Sequence, residues 1–159
     1  MKIWIIMVMV SLWSLKSVAN ECRVYTEEQL EVINTAYSYG FPHNYGYTLA
    51  AISIKESFVG DMIIRYNAND PSTGVTHIQF DTLKHLSGLN HWRALGVAEK
   101  MIKDDILSFK YSLLKLESIK GSFWYKWKRY NGSGKAAEKY ANDIQGIIAN
   151  LKRCGIVGG

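Results

Sequence analysis

At 159 residues the chain has the length of a single domain, enough to bury a core of its own. Apolar residues make up 48% of it, and ten tyrosines with five tryptophans add aromatic surface, which excludes a disordered chain. The formal charge of +5 suits an anionic polymer such as a cell wall, but it is too small to specify a partner.

Residues 1–19 carry the pattern of a secretory signal: Lys2, an apolar run over residues 3–15, then Lys16 and the small-residue end Ser17-Val18-Ala19. The run falls short of the roughly 20 residues that a spanning helix needs. Cleavage after Ala19 is the expectation, with retention as an uncleaved membrane anchor the alternative. Residues 20–159 would then form the working domain, with 17 basic against 14 acidic residues, or +3. Glu21 speaks against lipidation of Cys22, because a small residue is required there. Cys22 and Cys154 bracket nearly all of the mature chain, and such a pair in an exported protein predicts a disulfide between its two ends.

Thr26-Glu27-Glu28-Gln29 is a capping box, and Leu30, Ile33, Ala36 and Tyr37 continue at helical spacing to about Tyr39. Gly40-Phe41-Pro42 breaks that helix. The next one, YTLAAISIKES over residues 47–57, places Leu49, Ile52, Ser53 and Glu56 on one face. Burying Leu49 and Ile52 turns Glu56 inward in the last turn. Apolar surroundings favour the neutral form of a carboxylic acid, which a general acid near neutral pH requires. The plainer alternative is a glutamate snorkelling at a helix end, or paired with Lys55 or Arg65.

Residues 58–74 are rich in turn formers, with a short hairpin through residues 62–66. Asp81 or Thr82 starts a short helix that Gly88 ends. Residues 95–117 read as helical, with Ile102, Ile106, Phe109, Leu113 and Leu116 in one stripe. After a turn at residues 118–121 come an aromatic helix over 123–130, a loop at 131–134 and a last helix over 136–151. The fold class is mostly α: a single compact helical domain with a small irregular or β-like flap.

Other functions find little footing. Trp124 and Trp127 stand three apart, so a helix there assigns them to the core before a ligand platform. The basic residues between Lys110 and Lys139 read as a solvated face, and no nucleic-acid-binding signature accompanies them. Asn131-Gly132-Ser133-Gly134-Lys135 lacks the spacing of a phosphate loop. His43, His77, His85 and His91 show no metal-site spacing, so neither metal nor cofactor is expected. His85 reads as a surface or capping residue.

Four stretches then stand in a particular order: Glu56-Ser57 at a helix end, residues 74–82 (GVTHIQFDT) after a segment carrying Ser72, Tyr130-Asn131-Gly132, and Tyr140-Ala141. This set resembles the soluble lytic transglycosylases, lysozyme-like α+β enzymes that cleave peptidoglycan glycan strands. It is similar to the small exported members that accompany secretion and conjugation machines or phages. The resemblance covers about residues 37–150 and implies Glu56 as the catalytic acid, with Ser57 organising the site. It further implies substrate contacts from Ser72, His77, Tyr130, Asn131 and Tyr140. The chain departs from the family pattern at Thr76, His77 and Phe80, where methionine, glutamine and proline are usual. A monomer acting on glycan strands is implied, with membrane contact only through an uncleaved signal.

Glycoside cleavage needs a proton donor and a group that traps the oxocarbenium-like centre. Asp61 and Asp70 are the candidate second carboxylates, though both sit among turn formers. A transglycosylase dispenses with one, because the muramic acid 6-hydroxyl attacks and leaves a 1,6-anhydro end. The alternatives are a muramidase hydrolysing the same bond, and a peptidoglycan-binding module whose site is degenerate at His77.

Overall fold

The computed structural model describes residues 22–66 and 70–158. The predicted signal segment and its cleavage after Ala19 lie outside the described residues, as do Asn67 and Asn69. The capping box starts α1 (Glu27–Gly40): Thr26 Oγ1 accepts the Gln29 N–H and Gln29 Oε1 accepts the Thr26 N–H, each at 3.2 Å. Two of the donors that a helix start leaves unpaired are thereby satisfied. A 3₁₀ turn (Phe41–His43) carrying Pro42 then reverses the chain into α2 (Gly46–Ser57). A Cβ at Gly46 would lie 2.9 Å from the Tyr37 carbonyl oxygen, so the glycine lets α2 press against α1.

Apolar residues surround α2, the pattern of an enclosed helix. Leu49, Ala50, Ala51 and Ile52 are fully buried. The helix packs against α1 on one side and against α7 (Gly134–Arg153) on another. Phe109 and Leu116 of α5 (Asp105–Ser118), Trp127 of α6 (Phe123–Asn131) and Ile144 of α7 join it in the core.

Between α2 and the later helices lie β1 (Ile64–Arg65), β2 (Ser72–Thr73) and β3 (Ile78–Gln79), antiparallel in that order. Arg65 stands opposite Ser72 and Ser72 opposite Gln79, which fixes the register. The described residues therefore form the mostly helical body with a small β flap that the sequence predicts.

Several details differ from expectation. The hairpin expected through residues 62–66 does not close there, because β1 pairs with β2 at Ser72 and Thr73. The short helix α3 (Phe80–Ser87) begins at Phe80, before Asp81. The last helix starts at Gly134 and continues to Arg153. The helical pattern over 95–117 divides into α4 (His91–Met101) and α5. Asn90 and Asp104 cap these two, accepting the Arg93 and Leu107 N–H groups at 3.0 and 3.1 Å. Ile102 falls in the turn between them and Ile106 is 45% exposed, so the buried stripe begins only at Phe109.

Cys22 and Cys154 are bonded, closing a separation of 132 residues and holding the segment before α1 to the end of α7. Among the described residues no helix is long and apolar enough to cross a membrane.

Candidate active site

Glu56 stands in the last turn of α2, its side chain 10% exposed. The helix ends abruptly: Phe58, Val59 and Gly60 all have positive φ, at 52°, 63° and 99°. Left-handed backbone at the first two costs on the order of 1–2 kcal/mol each. Ser57 holds this turn, its Oγ donating to the Ser53 carbonyl at 3.1 Å and accepting the Gly60 N–H at 2.9 Å. Ser57 is fully buried and lines neither of the cavities beside Glu56, so it lies beneath the site and supports it.

The plainer reading paired Glu56 with Lys55 or Arg65. Lys55 turns instead to Asp143 of α7, at 2.8 Å. Glu56 meets a histidine: His77 Nδ1 lies 3.4 Å from Glu56 Oε2, at ion-pair distance without an aligned hydrogen bond. His77 itself is buried, with a left-handed φ of 47° between β2 and β3. Its Nε2 lies 2.6 Å from the Met62 carbonyl oxygen. A carbonyl only accepts, so Nε2 carries the proton in that contact and Nδ1 is the nitrogen left for Glu56.

A buried chain of hydroxyls fixes the backbone that presents His77. Thr76 Oγ1 meets Ser108 Oγ at 2.6 Å, and Ser112 Oγ donates to Thr76 Oγ1 at 2.5 Å. Tyr130 completes the chain, its hydroxyl donating to the Thr76 carbonyl and meeting Ser112 Oγ, both at 3.0 Å. The flap is thus fastened to α5 and α6 through Thr76. Phe80 donates its N–H to the Pro71 carbonyl at 2.9 Å, a bond that proline could not make.

Two cavities, of about 250 and 520 Å³, share Glu56, Arg65, His77 and Asn131 in their walls. Ser72 and Tyr130 line the smaller and Tyr140 the larger. The structure therefore gathers Glu56, Ser72, His77, Tyr130, Asn131 and Tyr140 around one place. The rings of Tyr130 and Tyr140 stack, with centroids 6.4 Å apart. Burial pushes both phenols well above the usual range, and the Glu56 charge adds to the effect. Both therefore remain protonated donors at any physiological pH.

The solvated face expected between Lys110 and Lys139 does not include Lys115. This lysine lines the smaller cavity, with Nζ 4.3 Å from the centre of the Tyr130 ring. Burial lowers its amine pKa, while the charges of Glu56 and Asp70 act in the opposite sense. Lys126 and Lys128 also have partners, the first donating to the Tyr45 hydroxyl at 2.7 Å and the second to Glu138 at 2.7 Å. A signal for Lys115 was present: Ser108, Ser112 and Lys115 fall at i, i+4 and i+7, a polar stripe beside the apolar one.

The two candidate second carboxylates separate. Asp61 accepts from Gln29 Nε2 at 3.1 Å and lines neither cavity. Asp70 lines the smaller cavity, while its Oδ1 accepts the Asp81 N–H at 3.0 Å and so caps the start of α3. Trp127 is buried and donates to Thr48 Oγ1 at 3.2 Å; Trp124 donates to Asn142 Oδ1 at 2.9 Å. Neither tryptophan lines the two cavities.

No family model, no curated protein and no solved structure matches this chain.

Proposed function

We propose that this protein is a peptidoglycan lytic transglycosylase, cleaving the β-1,4 bond between N-acetylmuramic acid and N-acetylglucosamine with Glu56 as acid and then base. The observation that carries the reading is the position of Glu56: a mostly enclosed carboxylate where two cavities meet, between a helical body and a β flap. Tyr130, Asn131 and Tyr140 stand around it.

The chemistry follows from that position. Glu56 gives its proton to the bridging oxygen as the C1–O4 bond breaks, leaving an oxocarbenium-like centre at C1. The muramic acid 6-hydroxyl attacks C1, and its proton passes to the Glu56 carboxylate, which restores the acid. The Tyr140 hydroxyl, buried without an aligned acceptor, is available to the carboxylate formed midway. Lys115 adds a positive charge on the same side.

A hydrolytic reading has one observation in its favour, since Asp70 lines the cavity that holds Glu56. Its engagement in capping α3 weighs against a catalytic role. Mass spectrometry of fragments released from purified sacculi decides between the two: 1,6-anhydromuramic ends support the transglycosylase, and reducing ends support the hydrolase. The Cys22–Cys154 bond, which persists in oxidising compartments, fits an exported protein working in the periplasm or outside the cell.

A further inference from the structure

The contact between Glu56 and His77 does more than place two side chains together. With Nε2 committed as a donor to the Met62 carbonyl, Nδ1 is an acceptor in the neutral ring and a donor in the charged one. Opposite it, 3.4 Å away, stands a carboxyl group with the same two options. If neither holds a proton, two acceptors face each other. If both do, two donors face each other. One proton between them sets a donor against an acceptor, and aligning the 3.4 Å contact then satisfies both groups, whichever carries it.

We propose that Glu56 and His77 share a single exchangeable proton, with His77 the positioning residue that keeps this proton available to Glu56 and confines cleavage to a window of pH. The catalytic half of this inference rests on the transglycosylase reading; the shared proton does not. In the cycle, the proton leaves the pair for the bridging oxygen as C1–O4 breaks. The proton of the attacking 6-hydroxyl returns to the pair as C1–O6 forms, so nothing is consumed. At low pH a second proton charges His77 beside the cationic centre and slows the reaction. At high pH the pair is empty and the acid is lost.

Other charges act on the pair from each packed element. Arg65 from β1, Asp70 from the segment before β2 and Lys115 from α5 line its walls. Tyr130 and Tyr140 stay neutral donors from α6 and α7, and Tyr66 on the flap is exposed. Lys55 of α2 also lines the larger cavity, its charge paired with Asp143. These groups set where the two protonation steps fall, while the coupling between them belongs to Glu56 and His77.

Two measurements test the proposal. Nitrogen NMR of the His77 ring, in wild-type protein and in Glu56→Gln, needs no turnover. The expected neutral ring is the Nε2–H tautomer, titrating in two coupled steps in the wild type and in one step in Glu56→Gln. A His77 titration identical in the two proteins, or an Nδ1–H tautomer, overturns it. The second is the pH profile of kcat/KM on purified glycan strands. The wild type should fall on both sides of its optimum, by about tenfold per pH unit. The variant His77→Gln should keep only the alkaline fall; His77→Asn, suited to left-handed φ, replaces it if the glutamine variant does not fold. A folded variant that keeps both limbs contradicts the proposal. Wild-type protein without cleavage would end the transglycosylase reading instead, and the NMR titration would still decide whether the proton is shared.

Discussion

Lys55 and Asp143 form an ion pair at 2.8 Å that ties α2 to α7 one residue before Glu56. Asp143 also holds Lys139 at 3.0 Å. Lys55 lines the larger cavity beside Glu56 and His77, and the pair gives its charge to Asp143 rather than to Glu56.

The first prediction concerns Asp143→Asn. Hydrogen bonds from Lys55 and Lys139 hold the Asp143 carboxyl below its ordinary value of 3.8. A depressed folded-state pKa contributes stability above the ordinary value, lost as pH falls through the depressed one. The variant should be less stable than wild type at pH 7, by no more than about 1 kcal/mol for so exposed a pair. Thermal melts at decreasing pH should show that deficit vanish in acid. A deficit unchanged at pH 2 would assign the effect to packing. With Lys55 released beside Glu56, cleavage should also fall several-fold.

Gly74→Ala tests the fastening of the flap. Gly74 has φ of 78°, and a Cβ there would lie 2.5 Å from Ser108 Oγ. The substitution combines left-handed strain with displacement of a hydroxyl that Thr76 needs, at a cost of roughly 2–4 kcal/mol. Denaturant unfolding should show the loss, and activity should decline with it because Thr76 precedes His77. An unchanged midpoint would mean that the contact with Ser108 yields easily.

Much of this arrangement was legible in the sequence, and the reason is that it is local. The capping box at Thr26, the break at Pro42 and the enclosed face of α2 each follow from neighbouring residues, and they put Glu56 at an inward-facing helix end. The His77 contact is not local. It depends on the path of three two-residue strands and on a left-handed residue between two of them, which no periodicity reports. Lys115 is hard to read from sequence because the apolar stripe of α5 is a stronger periodic signal than the Ser108–Ser112 row beside it. The break before α5 was signalled by Asp104 as a cap, but Ile102 and Ile106 happen to fit the helical spacing across it.

Reduction of the Cys22–Cys154 bond should lower the melting temperature. Closing a loop of 132 residues contributes about 4–5 kcal/mol in the chain-entropy picture. For a domain of this size that corresponds to roughly 10 °C or more. Calorimetry with and without reductant, with thiol release verified, checks it. Identical melts would show that the bond adds no stability.

Lys115→Met should separate stability from function. Burial lowers the Lys115 amine below its ordinary 10.5, so in the wild type it weighs against folding wherever the amine is charged. That penalty is full below the lowered pKa and disappears as pH rises through it to 10.5. Methionine keeps the apolar stem and removes the charge. The variant should melt at or above the wild-type temperature at pH 7, lose that advantage near pH 10.5, and cleave several-fold more slowly. A much lower melt at pH 7 would show that the contact with Tyr130 outweighs the cost of burial.

The most direct test of Glu56 as the acid is release of soluble fragments from purified sacculi by wild type and by Glu56→Gln, both shown to be folded and oxidised. Loss of a positioned general acid removes on the order of 10²- to 10⁴-fold in rate, so the variant should release fragments at least a hundredfold more slowly while still binding the wall. Equal release by the two proteins would contradict the assignment.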